Sequence, residues 1–390
     1  MNILFVSFDA DPPNMGGTAT VINIMARYFY VQSNNVALGF LWESTTPSVF
    51  FQKKIWINQR NREEMIRFEN EFHTDIIYAA LANNMDWKLV KECFPKAKIV
   101  SAYHNRPQIN HIHWESLIMA WRDASDILNR IRVIKNIIEM PYTIQKQIRQ
   151  QKKQYDNLCK YSDKIHILSP KFEPVFRSVA PLVKDNQIVA IPNPLVFSKY
   201  CSDEELLVKE KRVLVVTSIN YQKRAYLMMK IWQMVEQDEE LEDWYFDFVG
   251  DGVGYNHIKN LAKKYNLKRI AFYGKQKPIE YYRTDSIFIM TSRYEGWPMV
   301  LMESMQMGVV PVVFNSFESI TDIIDNGKDG FIVENNNLEK FYNCMKSIMI
   351  NEKIRYNVAK ASIEKSRQFA LDNIGNQYIR LFESLLTEEK

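Results

Sequence analysis

Short runs of apolar and β-branched residues alternate along this chain with longer stretches whose apolar positions recur every three or four residues. The first pattern predicts strands and the second amphipathic helices, and their regular alternation predicts parallel sheets joined by crossover helices. In the first half, strands are expected near 2–8, 36–42, 75–80, 98–103, 164–169 and 187–191. The second half repeats the alternation, with strands near 212–218, 244–249, 269–273, 286–291, 309–314 and 330–333. The longest helical pattern, roughly 115–160, carries Leu117, Trp121, Leu128, Ile131, Ile134 and Ile138. Pro141 should break or kink it, because proline removes a backbone donor and crowds the preceding turn.

Between the two sets lies Ile191-Pro192-Asn193-Pro194, followed by a polar, charged stretch to Lys211, and this suits a linker near 195–210. The division expected is a domain over 1–198, a second over 199–370 and a closing segment over 371–390. The fold class is α/β, with two Rossmann-like, doubly wound domains facing a central cleft at the carboxyl ends of their sheets, where open α/β folds bind ligands.

Composition agrees with a folded protein: of 390 residues, 46% are apolar, 25% charged and 13% aromatic. Cys93, Cys159, Cys201 and Cys344 stand far apart and outline neither a disulfide framework nor a zinc site, which fits a reducing cytoplasm. His111 and His113 form a His-x-His, but no carboxylate or cysteine pattern completes a metal site, so no metal is expected. No apolar run is long enough to cross a membrane, and the opening MNILFVSFDADPP turns polar too soon for a signal peptide.

Charge changes the picture more. Residues 101–200 hold 15 Lys/Arg against 8 Asp/Glu, an excess of seven that includes the basic run Gln145–Lys153. A solvated helix face is the plain reading of such a run. Contact with anionic lipid head groups or a phosphorylated acceptor is the sharper one, and nothing resembles a nucleic-acid motif.

The most informative segment is 291–308, where a strand ends at Thr291, a loop presents Glu295 and Gly296, and Pro298 sits where a first helical turn tolerates it. The helix N-terminus offers free N–H groups to an anion or to sugar hydroxyls. Glu303 follows Glu295 after seven intervening residues, and a carboxylate there can accept two hydrogen bonds from a vicinal diol such as a ribose.

Glu295-x7-Glu303 with Gly-Trp-Pro between resembles the E-x7-E signature of the retaining glycosyltransferases of family four, which have the GT-B fold. Other segments are similar to that family's pattern in family order. They are Gly16-Gly17, Ile191-Pro192-Asn193-Pro194, Val249-Gly250-Asp251-Gly252, and the late loop Gly327-x2-Gly330-Phe331-Ile332. About 160 C-terminal residues match well, and the first half matches only at these spots. The turn at Gly250, Gly252 and Gly254 is no dinucleotide fingerprint, since Tyr255 stands where a glycine is needed.

The resemblance implies that Glu295 faces the donor sugar, Glu303 holds the ribose, and Lys223 meets the diphosphate. It further implies donor contacts at Gly16, Gly17, Gly250, Gly296, Trp297, Met299 and Val300, with Gly274 and Lys275 near the base. His104, at the end of strand 98–103, is similar to the family's histidine that touches donor sugar or acceptor, and a structural histidine is its plain reading. The chain departs from the pattern at Ser218, where the family usually has an Arg, and at Arg224, where it usually has Gly after the Lys. Arg224 is the candidate replacement for the missing cation.

The function this implies is transfer of a sugar, with retention and without metal or cofactor, from a UDP- or GDP-linked donor to a glycan or lipid-linked acceptor in bacterial surface polysaccharide synthesis. The last helix, near 371–387, would pack back on the first domain. Because no carboxylate nucleophile is evident beneath the sugar, front-face displacement is favoured, with the leaving phosphate helping to deprotonate the acceptor. A nucleotide-sugar epimerase or phosphorylase of the same fold, and a non-catalytic carbohydrate-binding protein, remain as alternatives. The expected location is cytoplasmic, with weak peripheral contact at the inner membrane face as a further expectation.

Overall fold

The computed structural model describes residues 1–7, 16–41, 51, 53–80, 84–108, 117, 121 and 127–387. The chain divides into two compact units. One comprises 1–110, 146–196 and 369–390, and the other 111–145 and 197–368, so 111–145 groups with the second unit and not, as the sequence suggested, with the first.

The first unit holds a seven-stranded sheet among its described residues, made of β1 (Asn2–Ser7), β2 (Asn35–Phe40), β3 (Lys54–Trp56), β4 (Ile76–Ala79), β5 (Lys98–Tyr103), β6 (Lys164–Ile167) and β7 (Ile188–Ala190). Its order is β3-β2-β1-β4-β5-β6-β7, and every pairing is parallel. The expected strands are all present, shifted by a residue or two. The edge strand β3 was not expected, because three residues are too few to show a period.

The second unit is built the same way, from β8 (Glu210–Val216), β9 (Tyr245–Val249), β10 (Ile270–Gly274), β11 (Asp285–Met290), β12 (Val310–Asn315) and β13 (Phe331–Glu334). Its parallel order is β10-β9-β8-β11-β12-β13. All six residues of β11 are buried, as a central parallel strand covered on both faces requires, and this is why it reads as an unbroken apolar run. Trp232, Trp244, Phe246 and Phe248 fill the core beneath it. In each sheet the chain reverses its winding direction once, between β1 and β4 and between β8 and β11. Loops diverge at such a point and leave room for a ligand.

Two helices bear on the expectations. Ile127–Tyr161 runs on through Pro141, so of the break or kink expected there the break is absent. Residues around Pro141 are largely exposed, and water can meet the carbonyl that proline leaves without a donor. Ile131, Ile134 and Ile138 of this helix are also exposed, with Ile138 at 74% and Tyr142 at 75%, whereas Val133, Tyr155, Leu158 and Cys159 are buried. The closing helix Leu371–Thr387 belongs to the first unit, where Phe382 stacks on Phe29 at 5.2 Å between ring centroids.

Candidate active site

At the winding reversal of the second sheet, the loop after β8 and the loop after β11 are laced together. Arg293 N–H donates to the Gln222 carbonyl at 2.7 Å, and Thr291 Oγ1 donates to the Lys223 and Arg224 carbonyls at 3.0 and 3.2 Å. Gln222 Nε2 donates to the Tyr294 carbonyl at 2.8 Å and to Glu295 Oε2 at 3.2 Å. Against this frame Lys223 Nζ lies 2.6 Å from Glu295 Oε1, with both side chains largely shielded from water. Two residues 72 apart in sequence are thus one ion pair. Glycine makes this possible one strand away. At Gly250, with φ of 151°, a Cβ would lie 1.8 Å from the Thr217 carbonyl oxygen, so only glycine lets the end of β9 pass so close to the end of β8.

Glu303 sits on the helix Met299–Gln306, which Pro298 precedes as the capping residue rather than joining its first turn. The Tyr282 hydroxyl lies 3.0 Å from Glu303 Oε2 and 3.2 Å from the Val300 carbonyl. Burial pushes the Glu303 carboxyl up to about 7, against which the Tyr282 hydrogen bond acts only partly. Gly296 and Trp297 are buried, and the Gly296 carbonyl accepts from Ser319 Oγ at 2.7 Å. Met299 and Val300 are half-buried at the helix start, where N–H groups have no partner within the helix. Gly274 ends β10 with φ of 66°, and Lys275 beyond it is exposed.

Arg224 does not fill the gap left at Ser218. Its side chain is turned into the fold, 2% exposed, and its guanidinium donates to the carbonyls of Thr291 and Ser292 and to the side chains of Asn335 and Asn336 at 2.6–2.9 Å. Its backbone has φ of 49°, the left-handed conformation that glycine adopts without cost, and the fork of hydrogen bonds holds a larger residue there. Ser218 itself is exposed and accepts from Asn220 Nδ2 at 3.3 Å. Of the expected cations only Lys223 reaches Glu295.

In the first unit, His104 follows β5. Its Nε2 lies 3.3 Å from the Tyr78 hydroxyl, and its Nδ1 has no partner among the described residues. Burial, and then the neighbouring His166, push its pKa down to about 3. Asn193 of the Ile191–Pro194 segment faces the same ring, and its side chain partly offsets that fall. Gly16 and Gly17 are exposed at the start of the helix Gly16–Val31, Gly16 with φ of 81°. His111 and His113 lie outside the described residues.

Residues 200–365 match the family model described as glycosyl transferases group 1. That stretch contains both laced loops, Lys223, Glu295 and Glu303. Among curated relatives, the chain is 31% identical over 169 residues to the amylovoran biosynthesis glycosyltransferase AmsD of Erwinia amylovora, covering 43% of this chain and 46% of that protein. It is 22% identical over 191 residues to a Campylobacter jejuni α-1,4-N-acetyl-D-galactosaminyltransferase acting on an undecaprenol-linked glycan, covering 48% and 52%. The chain spans about half the length of the curated relatives it matches. Among solved structures, HepE of Anabaena in complex with UDP superposes with a TM-score of 0.73 at 13% identity, covering 98% of this chain and 100% of that one. The pneumococcal O-GlcNAc transferase GtfA with UDP and GlcNAc gives 0.73 at 10% identity, with 99% of both chains covered. The two parallel-sheet units therefore share the GT-B fold of these solved structures.

Several site residues carry no signal in the sequence. Gln222, Tyr282, Asn335 and Asn336 hold Glu295, Glu303 and Arg224 from other strands or loops. Only the Asn335-Asn336-Asn337 run would have marked a loop rich in hydrogen-bonding groups.

Proposed function

We propose that the chain is a retaining glycosyltransferase that moves a sugar from a UDP- or GDP-linked donor to a glycan or lipid-linked acceptor, in bacterial surface polysaccharide synthesis. The observation that carries this is the Lys223–Glu295 pair, with Glu303 on the following helix, at the winding reversal of the sheet whose residues match the group 1 model. Lys223 can meet the charge that develops on a departing diphosphate, and Glu295 can orient sugar hydroxyls once the ion pair opens. Glu303, held by Tyr282, can accept from a ribose diol. No carboxylate is assigned as a nucleophile, so positioning and electrostatics carry the rate, and the leaving phosphate receives the acceptor's proton. The reaction is proposed to need no metal or other cofactor, and to take place in the cytoplasm.

The test is a panel of nucleotide-sugars, scored first by thermal stabilisation and then by release of nucleoside diphosphate with anomer-resolved product analysis. Retention and turnover that survives EDTA are expected. Inversion, or turnover abolished by EDTA and restored by Mg²⁺, would count against this reading. The burial of Arg224 favours one rival, a protein that binds nucleotide without turnover, and binding with no product would establish it.

Weak contact with an anionic membrane belongs to the same proposal. The exposed Ile131, Ile134, Ile138 and Tyr142 share the helix Ile127–Tyr161 with the basic run Gln145–Lys153, and no described helix is long and apolar enough to cross a membrane. Each Lys or Arg near an anionic surface contributes about 1 kcal/mol, which salt weakens. Co-sedimentation with anionic but not neutral liposomes, lost at high salt, is the expected outcome. Equal sedimentation with both, or with neither, would leave a soluble acceptor.

A further inference from the structure

Four aromatic side chains of the first unit form one hydrogen-bonded relay, and its direction can be worked out from one end. His166 Nε2 lies 2.7 Å from the Ile191 carbonyl, which can only accept, so Nε2 carries a hydrogen. His166 is fully buried, and burial pushes its pKa down to about 4, so the ring is neutral and its Nδ1 must accept. The group facing Nδ1, at 2.9 Å, is the Tyr78 hydroxyl, which therefore gives its one hydrogen to His166. The Tyr78 oxygen is then an acceptor toward its two other neighbours, the Tyr378 hydroxyl at 3.1 Å and His104 Nε2 at 3.3 Å. His104 must meet it with an N–H, because a bare Nε2 would set two lone pairs against each other. An Nδ1–H given to Asn193 would need Nε2 to accept the Tyr78 hydrogen, which His166 already holds at the shorter distance.

The geometry points to Tyr78 and His166 as positioning residues that fix His104 in the tautomer with hydrogen on Nε2, leaving Nδ1 to accept a hydrogen bond from a hydroxyl of a sugar ring. Tyr378, reaching in from the closing helix, completes the acceptor side of Tyr78 without deciding its direction. His104 is then an orienter of hydroxyls rather than a proton carrier. The sugar as ligand rests on the transferase reading above, but the tautomer does not.

Long-range ¹H–¹⁵N spectra of the full-length chain report which ring nitrogen carries the hydrogen. His104 and His166 should both show it on Nε2, and a hydrogen on Nδ1 of His104 would overturn the relay. In Tyr78→Phe, His104 should divide between its tautomers while turnover falls at least about tenfold and the donor KM changes by less than about twofold. Tyr378→Phe keeps both bonds that set the direction, so it should retain the tautomer and lose less than about threefold in rate. A folded Tyr78→Phe with the single Nε2–H tautomer and full turnover would also overturn the inference. Should that variant fail to fold, the wild-type His104 tautomer decides alone. The expected spectrum in a protein that turns over no donor would reject the transferase reading and keep the relay.

Discussion

The two sheets reverse their winding in the same way, yet the side chains gathered at them are of opposite kinds. Beyond β8 and β11 the second unit gathers charge: Lys223 against Glu295, and Arg224 spread over two carbonyls and two asparagines. Within and beyond β4, β5 and β6 the first unit gathers neutral rings, Tyr78, His104 and His166, whose hydrogens are ordered rather than their charges. The same scaffold can thus present a field suited to an anion in one unit and a set of directed acceptors suited to hydroxyls in the other. The laced loops also show that neighbouring cations need not share a task, since Lys223 faces a carboxylate and Arg224 holds the loop.

Removing the charge at Lys223 should do the most damage. Lys223→Ala is expected to lower kcat by at least about 100-fold, the scale of losing one preorganised electrostatic group in the transition state. Little change in rate would end the view that the second unit's charge acts in catalysis.

Arg224→Ala should act on folding instead. The change removes four hydrogen bonds, two of them to the buried carbonyls of Thr291 and Ser292, so a loss of about 3 kcal/mol, or roughly 6–12 °C in Tm, is expected by thermal denaturation. Arg224→Gly should be the milder variant by roughly 1 kcal/mol, because glycine relieves the left-handed backbone. If Arg224→Ala kept its stability and lost turnover, the division of labour between Lys223 and Arg224 would be wrong.

Glu303→Ala is expected to raise the donor KM by about 10- to 100-fold, the value of one or two hydrogen bonds to a carboxylate, with kcat less affected. An unchanged KM would take the ribose from Glu303.

The mildest effect should be one of pH. Glu303, raised to about 7, holds its proton in the folded chain at pH values where the unfolded chain has released it. Stability should therefore decline as pH rises from about 4.5 toward 7, while nucleotide binding strengthens as the carboxylate ionises. Asp285, raised to about 7 mainly by burial and then by Asp247, adds to the decline. Glu303→Gln should flatten part of the stability curve and the whole of the nucleotide dependence, and an unaltered binding profile would contradict this.

Most of the fold was legible because strands buried on both faces, such as β11, must be apolar throughout, and because Glu295, Gly296 and Glu303 lie close together in the chain. Lys223 was singled out by its match to the lysine that the family carries after this strand. Arg224 was not, for its partners Asn335 and Asn336 stand more than a hundred residues away and only strand order brings them near. The relay through Tyr78, His166 and Tyr378 was hidden for the same reason, since no local spacing tells which strands will be neighbours. Ile131, Ile134 and Ile138 show the converse, a helical period in the sequence that the structure leaves to solvent.

The return of residues 369–390 to the first unit has a consequence for synthesis. Phe29 and Tyr78 are made early, but Phe382 and Tyr378, which close over them, are made only after the whole stretch of the second unit. At roughly 5–20 residues per second, the stretch between Val196 and Phe369 takes on the order of 10–35 s to translate. For that interval the nascent first unit presents an uncovered apolar face, while the second is being finished behind it. Truncating the closing helix would make that waiting state permanent, and such a product is expected to bind chaperones and precipitate.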